Sequence, residues 1–148
     1  MKEILKGLKE LRASKTFDIR FSEVDSMNVV WHGSYALYFE DAREAFGAKY
    51  GLDYMNYFHH HCYAPIVEET IRYHKPLRYG SKPRIDIIYR PTIAAKVIFD
   101  YEIYDTVSGD LMATGHSVQA FIDTDYQIIL YRPAFYQAWQ KQWGVFAE

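Results

Sequence analysis

Ser34-Tyr35-Ala36-Leu37-Tyr38-Phe39-Glu40-Asp41-Ala42-Arg43-Glu44-Ala45-Phe46-Gly47-Ala48-Lys49-Tyr50-Gly51 sets the fold. Tyr35, Tyr38, Phe39, Ala42, Ala45 and Phe46 recur at i, i+3, i+4 and i+7, while Glu40, Asp41, Arg43 and Glu44 fall mostly between them. That is the period of a helix with one apolar stripe, so the spacing predicts a helix over roughly residues 34–50. Gly33 or Ser34 can open it, and Gly51 can close it in a left-handed cap. No other segment shows so long a helical pattern, so whatever surrounds this one has to cover its apolar stripe.

The surroundings read as strands. Upstream, Phe17, Ile19 and Phe21 alternate with Asp18, Arg20 and Ser22, which predicts a strand over Lys15–Glu23. Downstream, Tyr63–Tyr73, Pro83–Tyr89, Val97–Tyr104 and Asp110–Ile122 are rich in branched and aromatic residues. They are parted by Pro76 with Tyr79-Gly80-Ser81, by Pro91-Thr92 and by Ser108-Gly109-Asp110, the last short enough to make a hairpin of antiparallel neighbours. Asp53–His60 adds a short helical turn. Ile4, Leu5, Leu8 and Leu11 give Met1–Arg12 a helical spacing, and Phe135, Tyr136, Trp139 and Trp143 do the same for Pro133–Trp143. One domain over residues 1–148 results, with residues 1–14 and 131–148 as helical appendages. Segregated helix and strands make the class α+β: a curved antiparallel sheet around one long helix.

Composition removes several partners. Seventeen Lys and Arg against nineteen Asp and Glu leave a net charge of −2, without the basic footprint of a nucleic-acid binder. No run of roughly 18 apolar residues is available to span a bilayer. Met1–Lys15 alternates Lys, Glu and Leu where a secretory signal needs a continuous apolar segment, so a cytoplasmic location is expected. The lone cysteine, Cys62, fits a reducing compartment and excludes thiolate-pair metal sites. His59-His60-His61-Cys62 looks like a metal cluster, yet adjacent side chains diverge and do not close one tetrahedron, so these read as solvated loop histidines. No metal site is expected.

Chemistry concentrates between the first strand and the long helix, where Asp25 stands seven residues before His32 at a helix start. The opening turn of a helix offers unpaired N–H groups and a partial positive charge, which suit a developing oxyanion or a phosphate. An Asp after a strand is more often a turn residue than a catalyst, and a lone His more often structural. Glu40, one position past the core stripe, reads first as a surface charge.

Phe21-Ser22-Glu23-Val24-Asp25, the turn Met27-Asn28-Val29-Val30, and His32-Gly33-Ser34-Tyr35 with Tyr38-Phe39-Glu40-x-Ala42-Arg43 resemble the signature of hotdog-fold acyl-CoA thioesterases of the 4-hydroxybenzoyl-CoA thioesterase type. The likeness continues through Ile66-Val67-Glu68, Tyr73–Gly80, Phe99–Tyr104 and Ala113-Thr114-Gly115, covering roughly residues 16–125. The resemblance implies a hotdog fold and a homodimer, or a homotetramer built from dimers, with active sites at the dimer interface. It implies a hydrolase that cleaves acyl-CoA to free acid and CoA without metal or redox cofactor, coenzyme A entering only as part of the substrate. An acyl-carrier protein is a second source of such thioesters. Asp25 would be nucleophile or general base, the His32 backbone N–H the oxyanion donor, and the His32 imidazole a second polar group. Trp31, Gly33, Ser34, Tyr35 and Glu40 would meet the substrate, with Tyr38 and Phe39 helping to shape its acyl pocket. Arg78 and Lys82 are candidates for its phosphates.

Two positions depart from the family pattern. Asn28 replaces a usual Gly, and Asn tolerates the left-handed backbone such a turn needs. Ser34 replaces a frequent Asn. Two other functions compete: a hotdog dehydratase using His32 with Glu40 from across a dimer, which leaves Asp25 without a role, and a non-catalytic acyl-binding module.

Overall fold

Val97, Phe99, Tyr101 and Ile103 are buried at every second position of one strand, and Ile85, Ile87 and Tyr89 repeat the pattern on its neighbour. Strands with that period present one apolar face, and here the face meets the long helix. The computed structural model describes residues 10–145. Its elements are β1 (Arg12–Thr16), α1 (Tyr35–Tyr50), α2 (Tyr54–His59), β2 (Cys62–Tyr63), β3 (Ile66–Tyr73), β4 (Pro83–Arg90), β5 (Lys96–Asp105), β6 (Leu111–Asp123), β7 (Ile128–Ile129) and α3 (Ala134–Gln142). All pairings are antiparallel. The sheet runs β1-β4-β5-β6, with β3 along the far side of β6 and the two-residue strands β2 and β7 flanking the end of β6.

Tyr35, Tyr38, Phe39, Ala42 and Phe46 of α1 are buried on this face, with Phe39 stacked on Tyr101 at 4.3 Å. Phe39 also lies over Gly115, where an added Cβ would come within 2.3 Å of its ring. Gly115 is therefore small because the helix must approach β6 closely. Gly51 takes φ +73 and ends α1 as the sequence predicts. The last carbonyl of α1 is satisfied from a distance, since Trp139 and Trp143 both donate their indole N–H to Tyr50 O, at 2.8 and 2.9 Å. The C-terminal helix therefore docks through aromatic residues, as its spacing implies.

Two expectations near the N-terminus are corrected. The first strand is Arg12–Thr16, in register with Thr16 opposite Arg84 and Arg12 opposite Ile88. Phe17–Arg20 is irregular, and Phe21–Glu23 forms a 3₁₀ turn with Phe21 77% exposed. The alternation of Phe17, Ile19 and Phe21 thus belongs to a connection that bends away from the sheet edge, while the short strand before it has only Ala13 buried, next to the buried Leu11 that precedes it. The N-terminal helix placed over residues 1–14 is replaced by strand from Arg12 onward; its earlier part, residues 1–9, lies outside the described residues. Of the C-terminal appendage, residues 146–148 also lie outside them.

Candidate active site

Asp25 and His32, far enough apart in sequence to need a fold to join them, line one open cavity of about 350 Å³. Two isolated β-bridges, Val24 to Val30 and Val29 to Arg78, fold the connection back on itself and fasten it to the loop after β3. Asn28 takes φ +61 at the tip, the left-handed conformation the sequence assigns to it. Within this turn the Asp25 carboxylate has two duties. Oδ1 accepts the N–H of Met27 at 2.8 Å and of Val29 at 3.2 Å, fixing the side chain as an Asx turn. Oδ2 meets no donor among the described residues, and Asp25 lines the cavity.

Beside the same cavity, a 3₁₀ turn over His32–Ser34 runs directly into α1. The first two N–H groups of such a turn, on His32 and Gly33, have no internal acceptor. Ser34 is not a side-chain cap: it is buried in helical conformation without a capping bond, and its N–H closes the turn on Trp31 O at 2.9 Å. Gly33 is held small by Trp31, whose ring would lie 2.2 Å from an added Cβ. The indole thereby packs against Gly33 and forms part of the cavity wall with Tyr35.

The far wall comes from the end of β3: Tyr73, His74, Lys75 and Pro76. Tyr73 sets its ring edge-on to Tyr35 at 4.8 Å and donates its hydroxyl to His32 O at 3.3 Å. Lys75 is spent on Asp110 at 2.9 Å. Sequence reasoning assigned none of these four a role, because nothing local shows that the end of β3 faces the start of α1. Burial raises the Tyr35 hydroxyl above its usual pKa, partly offset by the Leu77 backbone. Tyr38, beneath, is raised further, by burial and by the Glu23 carboxylate.

The remaining predicted residues stand apart. Glu40 is exposed on α1, outside the cavity lining, and Arg43 turns from it toward Tyr101 Oη (3.0 Å) and Glu69 (3.9 Å). Arg78 is exposed beside the cavity through its bridge to Val29. Lys82 lines a second, smaller cavity of about 260 Å³ with Thr16, Asp18 and Thr106. His59 and His60 sit at the end of α2, where the His60 ring stacks on Phe135 at 4.3 Å and its Nδ1 lies 2.7 Å from Asn56 O, while Cys62 is buried. Among the described residues, no three His, Cys, Asp or Glu side chains gather as metal ligands, and no helix is long and apolar enough to cross a membrane.

A family model described as the Thioesterase-like superfamily matches residues 19–143. A Bacillus subtilis (strain 168) protein named "Putative acyl-CoA thioesterase YneP" is 27% identical over 124 residues, which are 83% of this chain and 89% of that protein. Among solved structures, DHNA-CoA thioesterase from Staphylococcus aureus superposes with TM-score 0.78 at 26% identity, covering 88% of this chain and 90% of that one. A 1,4-dihydroxy-2-naphthoyl-CoA thioesterase from Synechocystis shares the fold at TM-score 0.76 and 18% identity, covering 88% and 93%. With its long helix, antiparallel sheet and family match over most of its length, the chain belongs to the Thioesterase-like superfamily and has the hotdog fold.

Proposed function

We propose that the chain is an acyl-CoA thioesterase whose reaction takes place in the cavity between Asp25 and the opening turn of α1. The observation that carries this is the pairing of a carboxylate, fixed through one oxygen and free at the other, with a helix start across the same cavity. The thioesterase relatives support the reaction type. A thioester carbonyl oxygen directed at the His32 and Gly33 amides would be stabilised as negative charge develops on it. Asp25 Oδ2 then either attacks the carbonyl carbon or removes a proton from water that attacks it. In both routes the C–S bond breaks and the thiolate leaves, taking up a proton. In the first, water subsequently cleaves the acyl–aspartyl anhydride. A carboxylate, a water molecule and amide donors suffice for this chemistry, so the proposal includes no metal or redox group.

A homodimer is part of the reading. Among the described residues β3 pairs only with β6, and its other edge is open, with Val67 59% exposed. An eight-residue open edge is a pairing surface that soluble proteins cover. A second copy joined there would adjoin the cavity wall at Tyr73.

The test is thiol release from a panel of short, long and aromatic acyl-CoAs by wild type and Asp25→Asn. The amide keeps the Oδ1 acceptor but removes the charge, so kcat should fall on the order of a hundredfold or more with the fold intact. Full activity of Asp25→Asn would overturn the assignment, and a wild type that turns over no thioester would leave a binding module. Single-turnover hydrolysis in ¹⁸O-water identifies the nucleophilic route when label enters the protein carboxylate, which requires an acyl–aspartyl anhydride opened by water at the Asp25 carbonyl.

A further inference from the structure

Four large apolar side chains on the two connections that carry the cavity's walls are largely open to water: Phe21, Met27, Trp31 and Tyr79 are 77, 73, 56 and 53% exposed, and Trp31 lines the cavity itself. Two of them touch. Phe21 and Tyr79 meet edge to face, centroids 5.7 Å apart at 86°, although they come from separate connections. Both are held by well-bonded backbone. Phe21 opens a 3₁₀ turn in which the Glu23 carboxylate accepts the Arg20 N–H at 2.7 Å, and Glu23 O accepts the Trp31 N–H at 2.8 Å. Tyr79 follows Arg78, which is bridged to Val29, and Val29 is bonded to Asp25 at 2.9 Å. One residue and two hydrogen-bonded backbone steps put the Tyr79 backbone within roughly 15 Å of the Asp25 backbone. Arg20 and Arg78 are the chain neighbours of the two rings, and neither forms an ion pair among the described residues.

We propose that Phe21 and Tyr79 form a stacking site for the adenine base of the coenzyme A moiety, with Arg20 and Arg78 meeting its phosphates. The proposal rests on the reading of the Asp25 cavity as the thioester site. An exposed aromatic pair beside unpaired guanidinium groups is complementary to a nucleotide, since the rings supply a π-face for a base and Arg a planar fork for phosphate oxygens. The distance from Asp25 is one that the pantetheine arm spans between thioester and nucleotide. The consequence is a carrier preference: free CoA thioesters are chosen over the same acyl group on a carrier protein, which brings the phosphopantetheine arm but no adenine.

The experiment compares acyl-CoA, acyl-pantetheine and acyl-carrier protein bearing one acyl group, using wild type, Phe21→Ala, Tyr79→Ala and Tyr79→Phe. Calorimetric binding of CoA and of pantetheine is measured alongside. Each alanine variant should lower the ratio of kcat/KM for acyl-CoA over acyl-pantetheine about tenfold through KM, the size of one base–aromatic stack, and weaken CoA binding in proportion. Tyr79→Phe should retain the ratio. An unchanged ratio, or equal losses on both small substrates, overturns the stacking site. So does a wild type that prefers the carrier protein and loses that preference with the rings, which would make the patch a protein-docking face. If no thioester is hydrolysed the catalytic reading fails, and CoA binding that is insensitive to Phe21→Ala separately refutes the adenine site.

Discussion

Tyr73 donates its hydroxyl to the main-chain carbonyl of His32 at 3.3 Å, tying the last residue of the open-edge strand to the turn that begins the long helix. The bond does not touch substrate in the proposed mechanism, but it fixes the peptide units whose amides would receive the oxyanion. Tyr73→Phe keeps the edge-on contact with Tyr35 and deletes only this bond. A single hydrogen bond contributes about 1 kcal/mol, so kcat should fall roughly fivefold. KM should stay within twofold, because the cavity walls remain. A rise in KM at constant kcat would show that the hydroxyl binds substrate and does not position the turn.

The turn holding Asp25 depends on the left-handed backbone of Asn28. Asn28→Gly should be neutral in stability and activity, since Gly adopts that conformation without penalty. Asn28→Val should destabilise by about 1–2 kcal/mol and also lower kcat, because the Met27 and Val29 amides that hold Asp25 Oδ1 would shift. Urea unfolding with kinetics on the same samples reads both. A variant that loses stability with full kcat would mean the Asx turn is not what orients the carboxylate.

Local pattern accounts for what could be read in advance. The stripe from Tyr35 to Phe46, the left-handed stop at Gly51, the hairpin at Gly109 and the aromatic helix after Pro133 each depend on residues close in sequence. Phe17, Ile19 and Phe21 misled because period two marks any extended segment; whether it enters a sheet is decided by a partner, here β4, which pairs with Arg12–Thr16 instead. At the site, the turn around Asp25 and His32 was legible from the family pattern, and Asn28 from its chemistry. Tyr73, His74, Lys75 and Pro76 were not, since their place in the wall follows from the pairing of β3 with β6, a register between segments some forty residues apart. Glu40 and Lys82 share the stretches that matter without sharing the cavity.

Asp100 on β5 is bracketed by His116 Nδ1 at 2.6 Å and Arg90 Nε at 2.7 Å. Partial burial alone would raise its pKa, but the hydrogen bonds from His116 and Arg90 outweigh this and hold it below the usual carboxylate value. A depressed folded pKa means a contribution to stability that is present above the unfolded value near 4 and lost as pH falls through the folded value. The group is one-third exposed, so the contribution should be less than about 1 kcal/mol. Asp100→Asn should therefore reduce stability at pH 7 and flatten its decline below about pH 4. Identical acid limbs for wild type and variant would remove Asp100 from the account.

Gln140 of α3 is fully buried and uses both ends of its amide. Its Nε2 donates to Tyr89 Oη at 3.1 Å and Thr92 O at 3.3 Å, and its Oε1 accepts from Arg132 at 2.7 Å. Tyr136 completes the group, bonded to Tyr89 and donating to Lys96 O at 3.1 Å. These bonds hold the C-terminal helix against the sheet at the end of the molecule opposite the cavity. Gln140→Leu preserves most of the volume but leaves the Thr92 carbonyl buried without a donor and Arg132 without this acceptor. A penalty of about 1–3 kcal/mol is expected, against less than about 0.5 for Gln142→Ala on the exposed side of the same helix. That corresponds to a fall in Tm of roughly 2–10 °C for a chain of this size. Because the network is remote from Asp25, KM should be unchanged below the transition. Equal stability of Gln140→Leu and Gln142→Ala would mean that α3 is held by its tryptophans alone, with Trp139 and Trp143 on Tyr50 O as the sufficient anchor.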